Sequence, residues 1–257
     1  MRCLNALHGK GSGGRDVVRL LANGLVLALG LVVGTAYCAE GDRWGGSLDA
    51  TSDYFVRGIS RSNGQGALQL DLHYLDASGF VAGLFASNTQ INSRAQSSAE
   101  IDAFVGFTWN SGKDWQERAL LSHYAYPWSK AGSAYNYDEL NLMVSYREWL
   151  NLELVYSPDA PVWSVYQGRL IGVGLESAEV NLQHRVVGKL SATAGYGYAH
   201  FEGQEPAGYG YWSAGASYDL APVTLVLSYV NTTAAAKALF YNAAADGRWT
   251  GTVIWRF

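Results

Sequence analysis

Hydrophobic and polar residues trade places at every second position along most of this chain. The pattern is plainest in residues 248–257: Trp249, Gly251, Val253, Trp255 and Phe257 fall on one face, and Arg248, Thr250, Thr252, Ile254 and Arg256 on the other. A period of two with one apolar-aromatic face predicts a half-buried β-strand. Over 44–56, Trp44, Gly46, Leu48, Ala50, Tyr54 and Val56 oppose Ser47, Asp49, Thr51, Asp53 and, just beyond, Arg57. The same alternation predicts strands over 68–74, 80–88, 100–109, 115–126, 139–146, 150–156, 178–186, 190–198, 212–218 and 223–229. Segment 115–126 is ambiguous in facing, because Glu117 and Arg118 take opposite faces, and 157–177 shows no clear period.

The connections between these segments alternate in length. Those at 76–79, 110–114, 147–149, 187–189 and 219–222 are short, whereas 57–66, 89–98, 127–137, 157–177, 202–208 and 232–247 are longer, the last being Ala-rich with room for one or two helical turns. Twelve antiparallel strands would put every short connection, and both termini, on one side. That parity is expected of an even-stranded transmembrane barrel with short periplasmic turns and longer extracellular loops. A soluble sandwich is the alternative for the terminal strand, but it would leave bulky aromatics beside water on an unpaired edge. The predicted fold is therefore all-β, an antiparallel up-and-down transmembrane β-barrel of about 12 strands preceded by a signal peptide.

Composition narrows the picture further. Of 257 residues, 49% are hydrophobic, 13% aromatic and 16% charged, with 30 Gly, 17 Tyr and 5 Pro, a balance that favours strands and turns over helices. After residue 40 no apolar stretch reaches the length of a membrane-spanning helix. Before it, Arg2, Lys10, Arg15 and Arg19 precede the apolar run 20–33, and small residues follow as far as Ala39. This predicts a signal peptide over 1–39, cleaved near Cys38 or Ala39, with the barrel in 40–257. An uncleaved anchor helix is the alternative, for which the apolar run is short. Removing 1–39 lowers Lys+Arg from 18 to 14 and Asp+Glu from 22 to 21, a net charge of −7 that gives no indication of a nucleic-acid partner. Both cysteines, Cys3 and Cys38, fall in the removed segment, so a closed hydrogen-bonded sheet rather than a disulfide must hold the exported chain together.

Closing such a sheet would point Asp49, Asp53, Arg57, Asp71, His73, Glu100, Asp102, Glu139, Glu153, Glu179, Arg185, Arg248 and Arg256 into one lumen. Acids outnumber bases there. A water-filled lumen would pass small polar solutes or ions with a mild preference for cations; the same groups could instead pair into a plug with no conducting path. Asp53 and Arg57 lie about 13 Å apart along a strand, too far to pair directly. Asp53 is expected instead to meet Arg248 or Arg256 where the first and last strands close. An enzyme needs a nucleophile, a base and an orienting group together. Ser122 and His123 are neighbours on opposite faces, while His73 beside Asp71 and a loop-proximal His200 are the other histidine candidates. No metal spacing, cofactor motif or phosphate loop is present. A structural or adhesive barrel is a third class.

The segment Thr51-Ser52-Asp53-Tyr54-Phe55-Val56-Arg57-Gly58-Ile59-Ser60 resembles the first-strand motif of the TorF family of porins, catalogued also as Gcw_chp-type conserved proteobacterial proteins of unknown function. Within it, Ser52, Asp53, Tyr54, Arg57 and Gly58 carry the motif. Ser78-Gly79-Phe80 with Ser87-Asn88, Glu100-Ile101-Asp102, Tyr156-Ser157-Pro158-Asp159 and the C-terminal strand agree as well, while 160–177 is longer than the family pattern. The resemblance implies a barrel in the outer membrane of a Gram-negative cell, with outer-membrane lipid around it. The closing strand, with Trp255 and the terminal Phe257, also resembles the C-terminal signal of outer-membrane barrels, which implies the barrel-assembly machinery as a partner.

Overall fold

The computed structural model describes residues 43–90, 99–130, 132–147, 149–164, 167–240 and 242–257. The expected signal peptide, its cleavage site at Cys38 or Ala39, most of the 89–98 connection and Glu148 of a tight turn lie outside the described residues. The described residues open with β1 (Arg43–Thr51), followed by the two-residue strands β2 (Phe55–Val56) and β3 (Ile59–Ser60). Next come β4 (Ala67–Leu75), β5 (Phe80–Asn88), β6 (Ala99–Asn110), β7 (Trp115–Ala125) and β8 (Tyr137–Tyr146). The longest strands, β9 (Leu150–Ser164) and β10 (Arg169–Val187), lead into β11 (Leu190–Phe201), β12 (Gly208–Asp219) and β13 (Val223–Thr232). Two short helices, α1 (Ala234–Leu239) and α2 (Asn242–Ala245), precede β14 (Arg248–Arg256).

All of the strands except β2 and β3 form one closed antiparallel barrel of 12 strands, in which each strand pairs with its neighbours in sequence. The barrel closes where β1 meets β14, Ser47 opposite Arg256 and Thr51 opposite Thr252. The short connections and both ends of the described chain lie at one rim, the longer connections at the other. No helix among the described residues is long and apolar enough to cross a membrane.

Facing follows the sequence period. Leu68, Leu72, Leu140, Leu142, Leu152, Leu225 and Leu227 are exposed on the outer wall, whereas Asp71, Glu100, Asp102, Arg118, Glu139 and Glu179 are buried on the inner one. An apolar outer face of this extent suits hydrocarbon, where the backbone must satisfy every hydrogen bond internally, as a closed sheet does. Aromatic rings line both ends of that face. At the short-turn rim Trp44 meets Tyr74 at 5.4 Å, Trp115 meets Tyr146 at 4.6 Å and Trp255 meets Phe257 at 5.3 Å between ring centroids. At the long-loop rim Tyr229 lies between Trp212 (5.7 Å) and Trp249 (5.5 Å). Amphipathic rings at two levels are the girdles of an interfacial aromatic belt. At the short-turn rim Arg147 reaches over to Asp114 with both Nε (3.0 Å) and Nη2 (3.1 Å). The Arg147 hydrogen bond holds the exposed Asp114 carboxyl below its ordinary value of 3.8.

The structure corrects the expected outline in two places. The first strand does not run on to Val56. After Thr51 the wall hands the chain inward: the Thr51 hydroxyl donates to the Asp53 carbonyl (2.8 Å), the Thr250 hydroxyl to the same oxygen (3.2 Å), and Ser52 N–H to Gly251 O (2.9 Å). The next residues keep an extended backbone, hence the continuing alternation, but Tyr54, Phe55 and Val56 are all buried, so both faces are covered by protein. The second correction is at 157–177, where strand replaces the expected loop. Beyond Tyr156 the β8–β9 ladder ends, yet β9 pairs with β10 as far as Ser164 opposite Arg169. Pro158 and Pro161 sit in this one-sided stretch, where a missing N–H is tolerated. A register shift between Val173 and Leu175 reverses the in–out order midway and hides the period.

Candidate functional site: a hairpin across the lumen

Strands β2 and β3 pair only with each other, Phe55 opposite Ser60 and Val56 opposite Ile59, leaving Arg57-Gly58 as a two-residue turn. Both turn residues have positive φ, 49° at Arg57 and 75° at Gly58. Turns of the I′ kind require this, and Gly adopts it without strain while Arg does not. Gly58 is also closed in by the ring stem of Tyr211, 2.6 Å from where a Cβ would stand. The hairpin therefore carries an arginine at its tip into the barrel.

Several walls hold it there. The Arg57 Nη2 donates to Glu139 Oε1 on β8 (2.7 Å), its Nε to the Ser177 hydroxyl on β10 (3.1 Å), and its carbonyl accepts from the Tyr209 hydroxyl on β12 (3.1 Å). At the base of the hairpin, Asp53 Oδ1 accepts from the hydroxyls of Ser60 (2.6 Å) and Ser62 (2.7 Å), and Oδ2 from Arg248 Nη1 on β14 (3.2 Å). Of the two partners expected for Asp53 at barrel closure, Arg248 and Arg256, the structure selects Arg248. Tyr54 donates to Glu100 Oε1 on β6 (2.5 Å), and Tyr126 donates to the other oxygen of the same carboxylate. Arg61, which follows the hairpin, donates from Nη1 to the Tyr135 hydroxyl (3.4 Å).

Apolar packing fills the space behind. Ile59 joins Ala160 and Leu175 of the β9–β10 arm, Ala199, Phe201, Tyr209 and Tyr211 of the wall, and Ala236 and Ala245 of the two helices in one buried cluster. A shelf of tyrosines lies beside it: Tyr124 stacks on Tyr137 at 4.4 Å, and Tyr126 meets Tyr135 edge-on at 4.7 Å. The long-loop half of the lumen is thus built around the hairpin, the arm and the helices.

The sequence-predicted lumen residues separate into groups. Asp53 and Arg57 lie inside the barrel but on the hairpin, not on a wall strand. Glu100, Asp102, Glu139 and Glu179 face the hairpin and are buried, and Glu153 is half-buried directly across from Glu179 on the neighbouring strand. Glu179 accepts from Tyr211 (2.8 Å) and from Asn181 (2.7 Å). Among the described residues Glu139 Oε2 has no protein donor, and Asp102 lies beside Glu100, its hydrogen-bonding neighbour on β6. Towards the short-turn rim, His73 Nδ1 pairs with Asp71 at 2.5 Å, Arg256 donates to Thr224 (3.0 Å), and Asp49 is half-buried. Arg185 is exposed at the end of β10, outside the group that converges on the hairpin. Of the family-motif residues, Ser52 sits at the departure from the wall and Tyr54, Arg57 and Gly58 on the inward hairpin. Trp255 and Phe257 are exposed at the short-turn rim.

Sequence reasoning did not place Arg61, Arg118 or Ser177 in the lumen, and of the tyrosines around the hairpin it singled out only the motif residue Tyr54. Arg118 carried a signal, since the β7 period resolves once Glu117 is placed at the rim. Ser177 carried none, because its stretch had no period. Among the described residues no group of three or more His, Cys, Asp or Glu side chains is placed to hold a metal ion.

This arrangement, a lipid-facing apolar exterior around a polar and charged interior crossed by an inward loop, defines an outer-membrane-type β-barrel. Residues 39–255 match a family described as a bacterial protein of unknown function (Gcw_chp), and the chain belongs to that family. Among solved structures the fold is similar to the NanC porin, at 9% identity and TM-score 0.53, covering 82% of this chain and 98% of that one. It is also similar to a membrane protein solved in work on in-meso crystallization, at 12% identity and TM-score 0.51, covering 83% of each chain. The KdgM porin matches at 12% identity and TM-score 0.49, covering 83% of this chain and 99% of that one. No curated protein matches the chain.

Proposed function

We propose that the protein is an outer-membrane porin of the TorF type, exported by an N-terminal signal peptide, that passes small hydrophilic solutes or ions with a weak preference for cations. The observation that carries this reading is the inner wall. Carboxyls of Asp49, Asp71, Glu100, Asp102, Glu139, Glu153 and Glu179 face the lumen against the guanidinium groups of Arg57, Arg118, Arg248 and Arg256. Excess charge of one sign inside low-dielectric walls concentrates the opposite ion, and offsetting arginines keep the preference weak. The likeness in fold to the NanC porin supports transport over catalysis. The short-turn rim is assigned to the periplasm, and the closing strand with Trp255 and Phe257 to recognition by the barrel-assembly machinery.

Reversal potential across a planar bilayer in a potassium chloride gradient tests the reading. Wild type should lean towards cations, less so at high salt, where the screening length shrinks to about 3 Å at 1 M. Asp71→Asn with Asp102→Asn should move the potential towards anions, and Leu70→Val on the outer wall should not. An anion-selective wild type would reverse the electrostatic argument. The second reading, a plugged structural or adhesive barrel, is favoured by the hairpin and the cluster around Ile59; folded protein that never conducts would establish it.

A further inference from the structure

The hairpin presents a guanidinium to a recess that the barrel wall builds for one. Arg57 uses two adjacent nitrogens on two acceptors from different strands, Nη2 on the Glu139 carboxylate at 2.7 Å and Nε on the Ser177 hydroxyl at 3.1 Å. A planar fork of donors matched by a carboxylate and a hydroxyl is a recognition pattern for guanidinium, one a compact ammonium satisfies less well. Beside Glu139 the same stretch of wall buries a second carboxyl, Asp102. Asp102 and Glu139 are 1% and 2% exposed, and among the described residues Glu139 Oε2 has no protein donor. A buried carboxylate oxygen is costly to leave without a donor, so N–H groups brought by a bound solute would be stabilised there.

The group filling the recess is not part of the wall. β2 and β3 form a separate two-stranded sheet with no ladder to the barrel. Arg57 is thus a tethered cation, held by side-chain contacts on a turn whose φ of 49° is unfavourable for arginine.

We propose that the Glu139–Ser177 recess is a binding site for guanidinium-bearing solutes, which Arg57 occupies from within until such a solute takes its place. Solute and tether compete for the same two acceptors. A solute that wins frees the hairpin tip from β8 and β10 and widens the passage it crosses. This last step rests on the porin reading; the site itself does not.

Guanidinium chloride at millimolar concentration is the probe, with sodium chloride as the ionic control, titrated by calorimetry into micellar protein whose folding is checked by heat-modifiable migration. Arg57→Met keeps the aliphatic stem and vacates the recess. It should bind guanidinium at least tenfold tighter than wild type, because the tethered Arg57 fills the recess in the folded protein and leaves a solute only the small unoccupied fraction. Adding Glu139→Gln should remove at least tenfold of that affinity. Should Arg57→Met not refold, Arg57→Lys takes its place: an ammonium cannot satisfy both acceptors, so guanidinium should again bind tighter than in wild type. Equal affinity in wild type and the Arg57 variant, or undiminished binding after Glu139→Gln, overturns the proposal. Bilayer recordings on the same proteins separate the two readings. Guanidinium should interrupt the potassium current of the Arg57 variant; calorimetric binding with no current in any protein would overturn the porin reading alone, and current without calorimetric binding the site alone.

Discussion

Asp53 holds the base of the inward hairpin, and its removal should release the hairpin while leaving the barrel closed. Its side chain is 2% exposed and accepts from Ser60, Ser62 and Arg248 at 2.6, 2.7 and 3.2 Å. A hydrogen bond to a charged group contributes roughly 1.5–3 kcal/mol net. The two serine bonds, short and buried, set a lower bound of about 3 kcal/mol on that scale. Arg248 adds less, since its side chain is 25% exposed and water can replace the carboxylate. At about 1.4 kcal/mol per factor of ten, the loss corresponds to roughly a hundredfold rise in the population of the open hairpin. Asp53→Ala should therefore speed amide exchange about a hundredfold in a peptide covering 52–66. That peptide contains Tyr54 N–H bonded to Ser62, Arg61 N–H bonded to Tyr54 O and Gly64 N–H bonded to Ser60. Amides of β13, paired on both sides, serve as the internal standard and should not change. Asp53→Asn, which keeps one acceptor oxygen, should fall between. Unchanged exchange in 52–66 would show that the apolar cluster around Ile59 alone holds the hairpin. An equal rise in β13 would show that the hairpin and the barrel open as one unit.

Other consequences follow from the outer wall and the rims. Leu70 sits at the middle of β4 facing outward between Leu48 and Ala86, so Leu70→Arg should lower refolding stability in lipid by about 2–4 kcal/mol, measured by denaturant titration, whereas the same change at a rim position should cost far less. Deleting Phe257, which exchanges backbone hydrogen bonds with Gly46 at 3.1 Å in both directions, should reduce outer-membrane yield and leave chain in the periplasm; unchanged yield with normal heat-modifiable migration would refute its role in assembly. The Asp114 carboxyl, held below 3.8 by Arg147, stabilises the folded rim above its unfolded-state value and loses that contribution as pH falls through the lower folded value. Its NMR titration midpoint should therefore rise in Arg147→Gln and in high salt.

The barrel itself was legible because its cause is local. Each wall strand must put one face to hydrocarbon and one to the lumen, so the requirement is written into every second residue, and the parity of turn lengths follows from antiparallel neighbours. Leu68, Leu72, Leu225 and Trp255 declared themselves in this way, as did Asp71, Glu100 and Asp102. A period of two, however, states only that successive side chains point oppositely. It does not say whether each face meets lipid, water or protein. Over Tyr54 to Val56 both faces meet protein, and the alternation of β1 runs without a break into a hairpin that has left the wall. The β9–β10 arm shows the converse: its strands persist, but a register shift erases their period.

Which charges meet was likewise decided by tertiary structure. Arg57 and Glu139 are 82 residues apart, Arg57 and Ser177 120, and Asp53 and Arg248 195. The sequence could anticipate the last of these, because the first and last strands of a barrel must adjoin. It could not anticipate the first two, since a hairpin tip inside a lumen can face any of the surrounding strands. The choice of β8 and β10 was made by the packing of Ile59 against the arm and the helices and by the turn at Arg57-Gly58, which aims the guanidinium across the barrel.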